Sequence, residues 1–353
     1  MNLPRLAPFR LNRPLAAVSA AAIALGGLTA CAESADNGST STTESTSTAT
    51  ADDAAWPRTI ETVDGEGNDT EVTLEAAPER IVSASVTLTG SLLALDAPVV
   101  GSGGGQGSSP IFTDEEGFGI QWADIALERD VEPLYQIEPN VEAILAQDPD
   151  LVVMSNVGQD SAVAVYEQLA ELVPVLVIDY SNQSWQEVTT YLGEATGRED
   201  QAAELIAGFE DKVSEAAESI TLPPQPVNII SLGREGGMNF FTTESAQGQL
   251  FAELGFDILI PAEDLVGTTA QGTDRGDIKG VNPENIAPAL AGETVFALNT
   301  TGGTPAEETV RTNPALAENT AVAEDRVYGL APEFFRLDYF SATRLVEYLD
   351  EEF

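Results

Sequence analysis

The chain of 353 residues carries 58 acidic and 15 basic side chains and no histidine, so its formal net charge is −43. A surface with this excess of negative charge repels nucleic acids and anionic lipid head groups, which excludes a nucleic-acid-binding function. The absence of histidine also excludes Ser-His-Asp and Cys-His nucleophile pairs, HExxH zinc sites and histidine-ligated haem. Carboxylate-only catalysis and oxygen-ligated metal sites stay open.

The N-terminus has the pattern of a bacterial lipoprotein signal. A segment with three arginines and no acidic residue precedes an apolar run, residues 15–27, that is too short to span a bilayer comfortably. The run leads through Leu-Thr-Ala to Cys31, the only cysteine, and resembles the lipobox, in which this cysteine is diacylated before cleavage. We therefore predict a signal peptide at residues 1–30 and a lipid anchor on Cys31 at the extracytoplasmic face of the bacterial cell membrane. A structural free cysteine behind an ordinary signal peptide is the alternative.

Residues 31–57 form a Ser/Thr-rich segment that lacks the apolar content to fold by itself. A random coil of about 25 residues reaches roughly 25–30 Å on average. This lipid-anchored segment is therefore predicted to be a flexible tether that holds a folded module away from the membrane.

From residue 58 onward, short apolar runs alternate with amphipathic segments of helical length. The predicted strands, in chain order, are Ile81–Ser83, Val99–Gly101, Leu151–Ser155, Val175–Ile178, Val227–Leu232, Thr294–Leu298 and Val327–Gly329. The predicted helices are Leu88–Leu95, Val141–Gln147, Ala162–Leu172, Trp185–Thr196, Ala246–Leu254, Glu284–Leu290 and Tyr339–Asp350. Strands that alternate with helices indicate parallel sheets covered by helices.

One longer amphipathic segment, residues 199–220, is stopped by the proline-rich segment 222–226. A new predicted strand begins directly after these prolines. The chain is therefore predicted to be an α/β protein in which two three-layer lobes, residues 58–198 and 223–353, are joined by a single long rigid helix within residues 199–222.

Five strings carry a resemblance to a known family. They are Glu-Arg-Ile-Val-Ser at 79–83, Val-Thr-Leu-Thr-Gly-Ser-Leu-Leu-Ala at 86–94, Ala-Gln-Asp-Pro-Asp-Leu at 146–151, Thr-Glu-Ser-Ala-Gln-Gly-Gln at 243–249 and Phe-Arg-Leu-Asp-Tyr at 335–339. From about residue 78 to its C-terminus, the chain resembles the ferric-siderophore substrate-binding lipoproteins of ABC importers. The resemblance implies a type III periplasmic-binding-protein fold whose lobes hold a ferric siderophore between them, and ABC permease subunits as partners.

The chemistry of such a ligand indicates which side chains the site needs. A ferric catecholate of the enterobactin class is strongly anionic and flat on its aryl faces, and its iron arrives fully chelated. Its receptor needs guanidinium groups, aromatic faces and hydroxyl or backbone donors rather than metal ligands. The resemblance therefore implies that the protein has no cofactor and no metal site of its own.

Ligands of open α/β sheets bind beyond the carboxyl ends of the strands. The candidate ligand-binding residues in loops of this kind are Arg336, Arg275, Arg234, Phe241, Ser85 and Thr87. Tyr339 and Trp122 are further candidate ligand-binding residues, which with Phe241 offer aromatic faces for stacking. The alternative for the arginines is a structural ion pair, such as Arg336 with Asp338. The alternative for the aromatic rings is burial in a core.

Two further acids are assigned by the resemblance. In the family, one exposed acidic residue on each lobe docks into arginines of the permease subunits, and Glu142 and Glu284 match these positions. Helix capping is the alternative, because an acid in the first turn of a helix interacts favourably with the helix dipole.

Other functions stay open alongside this one. A corrinoid- or haem-binding protein of the same fold is the main alternative. An extracytoplasmic carboxylate-dependent enzyme would need two paired acids in a cleft, and no pair stands out among the 58 acidic residues. A structural or adhesive surface lipoprotein would typically show repeats. We therefore predict a monomeric binding protein without catalytic activity, which captures a ferric siderophore and delivers it to an ABC permease.

Overall fold

Two large β-sheets and a β-hairpin organise residues 56–181, 183–233, 236–267 and 276–353, the part of the chain that this computed structural model describes. The predicted signal peptide, the lipid anchor on Cys31 and nearly all of the predicted tether lie outside these residues. No helix within them is long and apolar enough to cross a lipid bilayer.

The first sheet follows a hairpin of β1 (Arg58–Val63) and β2 (Asp69–Leu74). The strands of this sheet are β3 (Ile81–Ser83), β4 (Val99–Gly104), β5 (Glu132–Gln136), β6 (Leu151–Ser155) and β7 (Val175–Ile178). They run parallel in the spatial order β5-β4-β3-β6-β7. β6 and β7 are buried along their whole length, as expected for parallel strands with both faces covered.

Helices cover both faces of the first sheet. They are α1 (Val86–Ala94), α2 (Ala123–Glu128), α3 (Val141–Leu145), α4 (Tyr166–Ala170) and α5 (Trp185–Thr196). Successive side chains of a strand point to opposite faces. Ile81 and Val153 pack with α1, α2 and α5 on one face, whereas Val82 and Val152 pack with α3 and α4 on the other. The first lobe therefore has three layers.

A long helix, α6 (Glu199–Ser219), leads into the second lobe. The strands there are β8 (Val227–Leu232), β9 (Met238–Phe241), β10 (Val266–Gly267), β11 (Ile278–Val281), β12 (Thr294–Leu298) and β13 (Val327–Leu330), in the spatial order β10-β11-β9-β8-β12-β13. The helices are α7 (Ala246–Glu253), α8 (Ile286–Ala289), α9 (Ala306–Thr312), α10 (Thr320–Ala323) and α11 (Tyr339–Glu352). Phe251 of α7 and Leu345 of α11 pack on one face, and Val310 of α9 packs on the other. The second lobe therefore also has three layers.

The predicted connecting helix is present as α6, which has 21 residues and a length of about 30 Å. Its buried residue Ala202 packs in the core of the first lobe, and Phe209, Val213 and Ala216 pack in the core of the second. These positions recur at helical spacing, so one face of α6 contacts both lobes. The structure thus confirms the predicted α/β fold with two lobes joined by one long helix.

Trp185, the first residue of α5, packs at the junction of the two lobes. Its ring contacts Phe209 of α6 edge-on, with centroids 5.0 Å apart, and Tyr339 of α11, with centroids 5.9 Å apart. Later residues of the same helix, Val188 and Leu192, pack in the core of the first lobe. α5 therefore spans the boundary between the two cores.

The second sheet is mixed, whereas the alternation of strands and helices predicted parallel strands. β8, β12 and β13 are parallel, whereas β9 is antiparallel to both β8 and β11. Only residues 233–237 connect β8 with β9, and a parallel return needs roughly a dozen residues. As a consequence, Phe241 ends a strand instead of lying in a loop at the carboxyl end of β8. β11 again runs parallel to β8.

Candidate ligand-binding site

Polar side chains of the two lobes meet beyond the carboxyl ends of their parallel strands. Arg336 follows β13 and the 3₁₀ turn Pro332–Phe335, at the edge where ligands bind in open α/β sheets. Its Nη1 donates a hydrogen bond to Oγ1 of Thr87, 2.6 Å away in the first turn of α1, and lies 3.9 Å from Oδ1 of Asp160. The guanidinium thus reaches from the second lobe to the first, and 31% of the side chain stays exposed.

Neutral donors hold the Asp160 carboxylate in place. The side chain is 8% exposed. Its Oδ1 accepts a hydrogen bond from Oη of Tyr180 at 2.8 Å, and its Oδ2 accepts one from the backbone N–H of Thr87 at 2.9 Å. Burial and the negative charge of Asp160 raise the pKa of Tyr180 to about 12, so the phenol stays protonated and donates at neutral pH.

Ser85, a predicted ligand donor, is buried, and its hydroxyl is used within the first lobe. Its Oγ donates to the carbonyl of Asp160 at 2.6 Å and accepts from the backbone N–H of Ser155 at 2.8 Å. The neighbouring carbonyl of Ala84 accepts from Oη of Tyr135 at 2.7 Å, and burial followed by the charge of Asp160 raises the pKa of that tyrosine. These bonds fix the loop before α1, and ligand binding by Ser85 itself stays a prediction.

The ion pair of Arg336 is formed with Asp160 and not with Asp338, and Asp338 stabilises the start of α11 instead. It is buried, which raises the pKa of its carboxyl, and its Oδ1 accepts from the N–H of Ser341 at 2.9 Å in a capping box. Its Oδ2 accepts from Nε2 of Gln121 in the first lobe at 3.0 Å. α1 approaches this carboxylate at Gly90, where a Cβ would collide with Oδ2. The capping geometry therefore fixes Asp338 at the lobe boundary.

A small cleft opens beside Arg336. Both lobes line it, through Val86, Thr87, Ile111, Phe112, Gly119, Gln121, Trp122, Pro332, Arg336, Leu337 and Asp338. Trp122 is 1% exposed and packs against Phe118, with ring centroids 5.3 Å apart, so the ring is part of the wall. A largely apolar wall with a guanidinium and a few polar groups suits a ligand that has aryl faces and negative charge.

Phe241 and Tyr339, the other predicted stacking partners, each pack against another aromatic ring. Phe241 is 2% exposed and contacts Phe335, with ring centroids 6.3 Å apart. Tyr339 is half-buried and packs against Trp185. Ligand stacking by either ring stays a prediction.

Gln247 fixes the turn in front of Arg336, although the sequence did not single this residue out. Its Nε2 donates to the carbonyls of Phe334 and Phe335, at 2.8 Å each, and the side chain is buried. Gln247 belongs to the 243–249 string on which the family resemblance rests. The resemblance could therefore have indicated it, but only the contact shows what the glutamine does.

Asp160, Tyr180 and Gln121 were also not predicted as site residues. Asp160 and Tyr180 lie shortly after the carboxyl ends of β6 and β7, so the rule that selected Arg336 could have found both. Gln121 lies in the long connection between β4 and α2, where no local pattern indicates a site.

The remaining predicted residues are two arginines and the two acids assigned by the resemblance. Arg234 and Arg275 lie outside the described residues. Glu142, in the first turn of α3, and Glu284, in the 3₁₀ turn Pro283–Asn285, are both exposed. They follow β5 and β11, whose carboxyl ends lie at the cleft edges of the two sheets. The two acids are therefore on the side of each lobe where the cleft loops lie.

Within the described ranges, no group of three or more histidine, cysteine, aspartate or glutamate side chains is positioned to hold a metal ion. What the cleft offers instead is one half-exposed guanidinium, hydroxyl and amide groups, and an apolar wall. These groups can hold an anionic organic ligand.

Comparison with known proteins agrees with this arrangement. Residues 110–334 match the model of the family described as periplasmic binding protein. The ferric enterobactin-binding periplasmic protein FepB of Escherichia coli O6:H1 is 45% identical over 297 residues, which cover 84% of this chain and 91% of that protein. The crystal structure of holo-ViuP superposes with a TM-score of 0.72 at 30% identity and covers 85% of this chain and 96% of its own.

A more distant structure shows the same fold. Staphylococcus aureus SirA complexed with staphyloferrin B has a TM-score of 0.63 at 19% identity, and the match covers 84% of this chain and 98% of that one. The family match spans more than half of the sequence, and the FepB match covers 84% of it. The chain therefore belongs to the periplasmic binding protein family.

Proposed function

We propose that this protein captures a ferric siderophore of the catecholate class between its two lobes and delivers it to an ABC permease. The observation that carries the proposal is the position of Arg336, whose half-exposed guanidinium lies between the lobes beside an apolar cleft. The similarity to FepB along almost the whole of that protein supports the same function. The relatives are binding proteins, and we propose no catalytic activity for this chain.

The groups around the cleft fit the chemistry of a ferric catecholate. The complex carries negative charge on its catecholate oxygens, which a guanidinium binds through charge-assisted hydrogen bonds. Its aryl faces suit the wall formed by Ile111, Phe112 and the edge of Trp122. Because the siderophore saturates the iron, the receptor recognises the outside of the complex and needs no metal ligand.

Ligand titration tests this function directly. Trp122 lines the cleft, so quenching of tryptophan fluorescence reports occupancy there. We expect a ferric tris-catecholate to bind with a Kd below about 1 µM, that is, with about −8 kcal/mol or better. A linear ferric catecholate, a ferric hydroxamate, a corrinoid and haem serve as comparison ligands. Failure of every catecholate to reach micromolar affinity would remove the proposal, and tight binding of haem or a corrinoid would replace it.

Docking to the permease is the second part of the proposed function. Glu142 and Glu284 lie one on each lobe, are exposed, and follow strands whose carboxyl ends lie at the cleft edges. A permease that bridges the mouth of the cleft would contact both. Charge reversal on both lobes should therefore prevent delivery without affecting capture.

The double variant Glu142→Arg/Glu284→Arg is expected to bind ferric catecholate within about twofold of the wild type and to lose most iron uptake through the cognate permease. Uptake of radiolabelled iron in cells and binding by the purified protein are measured in parallel. Glu128→Arg/Glu218→Arg makes the same change of charge at exposed helix positions and is the matched control. Normal uptake by the first variant would contradict the docking assignment.

A lipid anchor on Cys31 is the third part of the proposed function. The chain has no other cysteine, and the lipobox pattern precedes this one directly. Replacing Cys31 with alanine should move the protein from the membrane fraction to the soluble extracytoplasmic fraction, as followed by immunoblotting. Retention of the variant in the membrane fraction would show that something other than this cysteine anchors the chain.

A further inference from the structure

Asp160 places a negative charge beside the cation of the cleft. Its carboxylate lies 3.9 Å from Nη1 of Arg336, belongs to the opposite lobe and is almost completely buried. A buried carboxylate is costly unless it is hydrogen-bonded or paired with a cation. Nothing in the proposed function requires an acid at this point, since an anionic ligand would be repelled by it.

One residue orients the guanidinium of Arg336 and another balances its charge. The hydrogen bond that orients the guanidinium goes to Oγ1 of Thr87. Asp160 at 3.9 Å is beyond hydrogen-bonding distance. Its own position is set by Tyr180 and by the backbone of Thr87, both uncharged donors. Asp160 therefore acts on the cleft mainly through its charge.

We propose that Asp160 is a specificity-determining residue, whose fixed negative charge opposite Arg336 limits how much negative charge the bound ligand carries. This inference rests on the proposed function, because it assumes that an anionic metal complex occupies the cleft. Arg336 attracts each charge on the ligand and Asp160 repels it. The cleft therefore discriminates between complexes that have the same shape but different charge.

A variant that removes the negative charge of Asp160 but keeps its hydrogen bonds isolates the effect of that charge on affinity. In Asp160→Asn, the amide oxygen can accept from the backbone N–H of Thr87, and the amide nitrogen can donate to Oη of Tyr180. Both neighbours keep a hydrogen-bond partner, so the loop keeps its support. We take the charge of Asp160 to lie roughly 10 Å from each charge of the ligand, at an effective dielectric constant of about 50. Removing the charge of Asp160 then raises affinity about threefold for each negative charge on the ligand.

Two complexes of one tris-catecholate siderophore provide the probe. Gallium(III) forms a trianionic complex and titanium(IV) a dianionic complex of closely similar shape. We expect Asp160→Asn to bind the gallium complex roughly thirtyfold more tightly than the wild type does, and the titanium complex about tenfold more tightly, at low salt. Isothermal titration calorimetry gives both affinities, and the gain should shrink as salt is added.

Glu293→Gln is the matched control. Glu293 pairs with Arg326, 2.8 Å from Nη2, directly before β12 and thus at the opposite edge of the second sheet from the cleft. This variant makes the same change in net charge and breaks a comparable ion pair. It should alter the affinity for either complex by less than about twofold, since charges this far apart are screened.

The outcomes are distinguishable. If the wild type binds neither complex, the proposed function fails and this inference fails with it. If the wild type binds both, but Asp160→Asn changes the two affinities by the same factor or weakens both, the role of Asp160 in charge selection is wrong and the proposed function stands. A gain that is larger for the trianionic complex and falls with salt supports it.

Discussion

Replacing Arg336 with glutamine is expected to weaken binding of a ferric tris-catecholate by about 2–3 kcal/mol, or roughly 30- to 150-fold. Glutamine retains an amide that can donate to Thr87, so the contact between the lobes is preserved in part. What disappears is the positive charge beside the cleft and the forked set of donors that a guanidinium offers to catecholate oxygens. Isothermal titration calorimetry of the two proteins measures the difference.

Arg344→Gln is the control for this experiment. Arg344 lies on α11, close in sequence to Arg336, and pairs with Glu333 at 3.3 Å, but it does not line the cleft. Its replacement should leave affinity within about twofold of the wild type, because an exposed ion pair outside the site contributes little. Equal weakening by both substitutions would mean that overall charge, and not the position of Arg336, determines binding.

Replacing Trp185 with alanine is expected to lower the free energy of unfolding by about 3–5 kcal/mol. The ring is 8% exposed and packs against Phe209 of α6 and Tyr339 of α11. Truncation leaves a cavity where α5, α6 and α11 meet, and the surrounding helices can close it only in part. Urea unfolding followed by far-ultraviolet circular dichroism gives the value.

Two further substitutions serve as comparisons for the loss of unfolding free energy expected from Trp185→Ala. Trp185→Phe keeps an aromatic ring in the junction and should cost less than half as much, because most of the contact remains. Leu172→Ala removes a leucine that is 68% exposed, and a change within about 0.5 kcal/mol is expected. A cost below about 1 kcal/mol for Trp185→Ala would show that the junction contributes little to the stability of the two-lobed unit.

The strands predicted at the correct residues are those with both faces covered. β6, β7 and β12 are buried at every position, so their sequences are continuous apolar runs that can be recognised without any partner. Two strands with partial burial, β2 and β5, were missed. β2 and β5 are mostly exposed or half-exposed, and their polar sequences do not differ from those of loops.

The candidate site also contains residues that the sequence placed correctly and residues whose burial it could not predict. Arg336 was predicted because it follows a recognisable strand, and the structure places it in the cleft. Phe241 and Trp122 were predicted as candidate stacking partners for the ligand, but the structure buries both. Exposure of a ring depends on which elements pack over it, and the sequence pattern around a ring does not contain that information.

By itself, the sequence determined the excess of acidic side chains, the α/β alternation and the long connecting helix, and it predicted a lipoprotein signal and a ligand contact for Arg336. All of these depend on local composition or on the periodicity of one segment. The tertiary structure alone decided what Arg336 faces, since Thr87 lies 249 residues away along the chain and Asp160 belongs to the other lobe. The reason is physical: the two sheets bury their own cores separately, and the contacts between them depend on how both pack around α6, Trp185 and the start of α11.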